Sequence, residues 1–128
     1  MSKGAREIYY MFNGKLIGNR YLKLCICRTL SKMPDEVVGF VTASCWFVGS
    51  MEDAYAFTFT GNDIKGQHLI FLSEDLMRQS EEQIEHSIAH EIAHVILGHR
   101  NSVLLRQSKE EIKRQEKEAD EFTKNLGF

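Results

Sequence analysis

Ser80 to His99, SEEQIEHSIAHEIAHVILGH, is the stretch that decides the fold. Ile84, Ile88, Ile92, Val95 and Ile96 recur at three- and four-residue spacing, which at about 100° per residue puts them on one stripe of a helix. Ser80 with Gln83 reads as a capping box that opens the helix, and Gly98 closes it. His90 and His94 fall on the far side of the stripe, with Ala93 and Leu97 beside them. From residue 88 to residue 97 the helix is apolar nearly all round except for His90, Glu91 and His94. A helix of this kind is buried on several sides, and imidazoles and a carboxylate held inside must be paired or bound to something.

Working outward, a second capping box, Ser108 with Glu111, opens a last helix that ends at Gly127, with Ile112, Ala119, Phe122 and Leu126 as its inward face. Upstream the period changes. Residues 37–48 are apolar and β-branched, and Tyr55, Phe57 and Phe59 alternate with small or polar neighbours, which marks strands. Gly61, Asn62 and Asp63 give a turn signal, and residues 67–72 give another short strand. The single proline, Pro34, divides this region from a helical first quarter, in which Leu16, Ile17, Tyr21, Leu24 and Leu30 suit an amphipathic helix. The expected fold is α+β: an N-terminal helix, a small mainly antiparallel sheet of about three strands, and two further helices. No repeat, low-complexity tract or linker divides residues 1–128, so they read as one domain.

Composition narrows the function classes. The chain has 128 residues, 43% of them hydrophobic and 27% charged, as in ordinary globular proteins. Sixteen Lys and Arg against eighteen Asp and Glu give a formal charge of −2, so no overall field favours nucleic acid or anionic lipid. No window approaches the roughly 20 apolar residues of a membrane span, and the first residues do not read as a signal peptide. Cys25, Cys27 and Cys45 leave an odd thiol in any intramolecular pairing, which favours a reducing compartment and core thiols. A cytoplasmic protein is expected.

His90-Glu91-Ile92-Ala93-His94 is an HExxH sequence, a pattern found in zinc metalloproteases. Residues four apart on a helix lie one above the other, so two imidazoles can converge on one Zn2+ ion while Glu91 reaches the water to be activated. Catalytic zinc commonly takes three protein ligands, so a third is needed. His99 follows His94 by five residues, a spacing that does not fit the metzincin pattern, and His86 lies a turn too far along the axis, so both read as surface or structural histidines. By wheel arithmetic Glu116 falls close to the inward face of the last helix, whereas Glu110, Glu111, Glu118 and Glu121 fall off it. Glu116 is therefore the favoured third ligand, and Asp120, one turn on, the favoured hydrogen-bond partner for a ligand histidine.

HEIAHVILGH at 90–99 followed by EKEADEFTKNLG at 116–127 resembles the paired signature of gluzincin metallopeptidases related to CAAX prenyl endopeptidases and the HtpX heat-shock protease. The resemblance implies His90, His94 and Glu116 as ligands of one zinc per chain, Glu91 as general base and Asp120 as the outer partner of a ligand histidine. Without a membrane span, the chain is more similar to the small soluble members called minigluzincins. Thr123 stands where that family more often has Ala. The resemblance leaves the group that stabilises the oxyanion unassigned, which is compatible with low turnover or a latent enzyme.

The expected activity is hydrolysis of a protein or peptide substrate, lying extended against an exposed strand at residues 55–60 or 68–72. Two other readings fit the same motif. One is a regulatory protease of the ImmA and IrrE type with a single substrate; the other is a zinc-stabilised binding module without catalysis. In a latent form, a terminal segment or the thiolate of Cys25, Cys27 or Cys45 would fill the open zinc position.

Overall fold

The computed structural model describes residues 4–50, 57–59, 67–99 and 108–128. Among the described residues five helices and four strands follow one another as α1 (Ala5–Met11), β1 (Leu16–Ile17), α2 (Arg20–Ser31), α3 (Asp35–Ser44), β2 (Cys45–Ser50), β3 (Phe57–Phe59), β4 (His68–Ser73), α4 (Glu81–Ile96) and α5 (Lys109–Asn125). A single 3-10 turn, Leu76–Arg78, lies between β4 and α4.

The α+β class holds, and the sheet differs from expectation. It has four strands in the order β1-β2-β4-β3, with β1 and β4 both parallel to β2 and only β3 antiparallel to its neighbour. Parallel neighbours require a crossover, and α2 with α3 supplies the one between β1 and β2. Alternation along a strand reports which face is buried and carries no information on the direction of its neighbour, so the pattern could not reveal parallel pairing.

The apolar run at 37–48 is not one strand. Its first part lies in α3, and only from Cys45 does the chain extend. Pro34 stands at the N-cap with Asp35 and Glu36 in the first turn, where negative charge meets the positive end of the helix dipole. Val38, Val41 and Thr42 are buried at helical spacing, and the Thr42 hydroxyl donates to the Val38 carbonyl at 2.8 Å. Packing of that face outweighs the strand preference of β-branched residues.

The first quarter is likewise divided. Leu16 and Ile17 form β1, and α2 starts where Asn19 accepts a hydrogen bond from the Leu22 amide at 2.8 Å. Its inward face is Leu22, Cys25, Ile26, Thr29 and Leu30, whereas Tyr21 and Leu24 are exposed. Ile8 of α1 and Phe12 at its C-cap, Ile26 and Leu30 of α2, Phe47 and Ile70 of the sheet, and Ile88 and Ile92 of α4 belong to one buried cluster. Phe12 and Phe47 meet edge to face, with ring centroids 5.8 Å apart. The turn expected at 61–63 and the residues expected as strand at 55, 56 and 60 lie outside the described residues. No described helix is long and apolar enough to cross a membrane.

Candidate metal centre

α4 begins and ends as its sequence dictates. The Ser80 hydroxyl accepts from the Gln83 amide at 3.2 Å, and Glu81 and Glu82 occupy the first turn. At the far end Gly98 takes φ +70°, the Gly98 amide donates to Val95 and the His99 amide donates to His94, the two bonds of a Schellman motif. Ile84, Ile88 and Ile92 are fully buried. Burying that stripe fixes the helix rotation and turns His90 and His94 toward α5.

α5 is opened by Ser108, whose hydroxyl accepts from the Glu111 amide at 3.1 Å. It packs against α4, and its buried residues are Gln115, Ala119 and Thr123, small or polar side chains spaced one turn apart; the Thr123 hydroxyl donates to the Ala119 carbonyl at 2.7 Å. Ile112, expected inward, is exposed, and Phe122 and Leu126 are only partly covered. The real inward face is narrower than the sequence wheel implied, because α5 meets its neighbours along one line.

Across this seam His90 Nε2 lies 3.0 Å from Glu116 Oε2 and His94 Nε2 lies 3.1 Å from Glu116 Oε1. The two Nε2 atoms are 3.2 Å apart. One donor atom from each of the three residues falls within 4.8 Å of the others, the one such group of three or more metal-ligating side chains among the described residues. Glu116 is not held inside, as the wheel had suggested: its side chain is 53% exposed, against 16% and 14% for His90 and His94. Its carboxylate caps the histidines from the rim. Burial, the largest influence, pushes the His94 imidazole below its ordinary pKa, so its neutral form is favoured. Two imidazole nitrogens and a carboxylate turned toward one another are the nitrogen and oxygen donor set that Zn2+ takes, and without a proton or a cation among them their lone pairs would face each other.

The outer nitrogens have partners too. His90 Nδ1 lies 3.1 Å from Asp120 Oδ1. His94 Nδ1 lies 2.9 Å from His99 Nδ1, whose ring reaches Glu118 Oε2 at 3.4 Å through Nε2. The sequence reading of His99 as a surface or structural histidine did not say what it would touch, and it set Glu118 aside as lying off the inward face. The signal was in HVILGH: a glycine four residues after His94 and a histidine five after are the C′ and C″ positions of the Schellman turn, which brings C″ against His94 at C3. His86 stacks beside His90 with centroids 6.4 Å apart and is not among the converging donors. Glu91 follows His90 on α4 and is partly buried.

The three thiols are buried in the core. Burial pushes Cys27 up to about 11 and Cys45 up to about 12, and raises Cys25 as well. None of the three is among the converging donors.

No curated protein and no solved structure matches the chain. The model of peptidase family M48 matches residues 28–115, more than half of the chain, including the whole of α4 with its HExxH sequence and ending one residue short of Glu116. With a metal-type donor group lying on that helix and its partner, the chain belongs to peptidase family M48, a family of gluzincin metallopeptidases similar to the CAAX and HtpX proteases.

Proposed function

We propose that the chain is a zinc-dependent metalloendopeptidase in which His90, His94 and Glu116 hold the ion and Glu91 is the general base. The observation that carries this reading is the convergence of the three donor atoms from two helices within 4.8 Å. The donor chemistry fits zinc, and Asp120 beside His90 is the kind of outer partner that ligand histidines have.

A zinc ion in such a site supplies Lewis acidity, bringing the pKa of water toward about 7 and polarising a carbonyl. The chain's own residues do the rest. The buried stripe of α4 holds His90 and His94 on one face, and Glu116 closes the group from α5. Glu91 takes the proton of the attacking water and delivers it to the leaving amine as the peptide C–N bond breaks.

The substrate segment is read from the sheet. β4 is paired on both sides, so of the two strands expected as docking edges only β3 has a free side among the described strands. β3 also lies against α4. An extended peptide adding to β3 would continue the sheet by main-chain hydrogen bonds and pass along the helix that carries His90 and Glu91. The three thiols are buried in the core and none belongs to the converging donor group, which argues against a cysteine latch on the metal.

Glu91→Gln tests the reading. It should keep its zinc and lose about 100- to 10,000-fold in hydrolysis of a peptide library. Zinc-loaded wild type that cleaves nothing would favour a binding module, and undiminished cleavage by Glu91→Gln would remove Glu91 from the mechanism.

A further inference from the structure

We propose that His99 is the positioning residue for His94, and that Glu118 orients His99 in turn; this deepens the zinc-site reading above and rests on it.

The argument follows from proton placement. If His94 presents the Nε2 lone pair toward Glu116 and His90, its ring proton must be on Nδ1. That atom lies 2.9 Å from His99 Nδ1, so His94 Nδ1–H donates and His99 Nδ1 accepts. The His99 proton must then be on Nε2, which faces Glu118 Oε2 at 3.4 Å. Glu118 is itself approached by Arg114 Nε at 3.4 Å, one helical turn away on α5. Each ring has one available tautomer in this chain, and each tautomer is fixed by the next residue outward. His90 is treated the same way by Asp120 at 3.1 Å, so both histidines of α4 are backed from behind.

His99 is not an incidental neighbour. Its side chain is only 7% exposed, and its position is set by the backbone. The His99 amide donates to the His94 carbonyl at 3.0 Å, the outer bond of the Schellman turn, and Gly98 with φ +70° makes that turn possible. In this motif C″ ordinarily makes an apolar contact with C3. Here the same geometry carries a polar one. His99 approaches the nitrogen of His94 that points away from Glu116, so it backs the ring and does not enter the donor group. At 3.4 Å the contact with Glu118 is long and supplies direction more than strength.

The experiment measures zinc affinity of the apoprotein by competition with a chromophoric chelator, together with its thermal unfolding. His99→Leu fills the C″ position with an apolar side chain and cannot accept a hydrogen bond. It should keep the unfolding temperature of the apoprotein and bind zinc about 10- to 100-fold more weakly. His99→Asn offers an oxygen near the place of Nδ1 and should regain most of that loss. Glu118→Ala should weaken binding by a smaller factor, in keeping with the longer contact. Wild-type affinity in His99→Leu, or equal losses in the Leu and Asn variants at equal stability, would overturn the role of His99 while leaving the zinc site standing. Wild type that takes up no zinc would overturn the site itself and this inference with it.

Discussion

Asp120 Oδ1 on α5 lies 3.1 Å from His90 Nδ1 on α4, on the side of the ring away from Glu116. A carboxylate there accepts the ring proton, leaves Nε2 free to face the site and raises the basicity of the ligand nitrogen. Asp120→Ala should therefore weaken zinc binding about 10- to 100-fold, and Asp120→Asn, which still offers an oxygen, should lose less. Chelator competition measures both. Equal affinity of the alanine variant and wild type would assign Asp120 to the solvated surface of α5.

Lys32 and Glu85 tie the end of α2 to α4. Lys32 Nζ donates to both carboxylate oxygens of Glu85, at 2.7 and 2.6 Å, and Glu85 is largely buried while Lys32 reaches solvent. Lys32→Met leaves a carboxylate without its cation in a place that water reaches poorly. The expected cost is about 1–2 kcal/mol, reduced from that of a fully buried pair because the lysine side is open. Urea denaturation reads it, and an unchanged midpoint would mean that Glu85 is solvated well enough without the lysine.

Ile88 lies on the buried stripe of α4, across the helix from the histidines. Truncation to alanine should cost about 2–5 kcal/mol of stability through lost burial and the cavity left behind. The helix rotation is shared with Ile84 and Ile92, so the variant that remains folded should bind zinc with near-normal affinity. Denaturation and metal titration of the same sample separate the two. A loss below about 1 kcal/mol would show that the core closes over the gap.

The thiols give a pH prediction with a definite sign. Burial raises the folded-state values of Cys27 to about 11 and Cys45 to about 12, from an ordinary 9.0. Above pH 9 the unfolded chain releases these protons while the folded chain keeps them, so stability falls as pH rises from about 9 toward the folded values. Below pH 9 the thiols contribute no slope. Thiolate absorbance near 240 nm should show Cys27 and Cys45 protonated at pH 10 in the native protein and ionised in the denatured one. Full ionisation at pH 9 in the native state would contradict the burial.

Much of the site was legible in the chain because its signals are local. Ser80 with Gln83 and Ser108 with Glu111 are caps formed within one turn, and the isoleucine stripe of α4 fixes which side His90 and His94 occupy. Glu116 and Asp120 were picked out by helix spacing and meet the histidines at 3.0 to 3.1 Å. What was not legible depends on partners distant in sequence. The direction of β2 relative to β4 is set by the crossover, and α3 was hidden because Val37, Val38 and Val41 suit a strand by composition while Pro34, Asp35 and Glu36 announce a helix. The exposure of Glu116 followed from how narrowly α5 touches α4, which a helical wheel drawn on one helix cannot contain. His99 was legible as a surface or structural histidine, but its partner was not named, although Gly98 beside it already marked a turn that folds it back on His94.

Metal content is the direct test of the three-residue site. Wild type, Glu116→Ala and Glu121→Ala would be stripped, reconstituted with zinc, desalted and measured by mass spectrometry. One zinc per chain in wild type and Glu121→Ala, with none retained by a folded Glu116→Ala, is the expected result. No zinc in wild type, or full retention by Glu116→Ala, would contradict the convergence of His90, His94 and Glu116 on a metal.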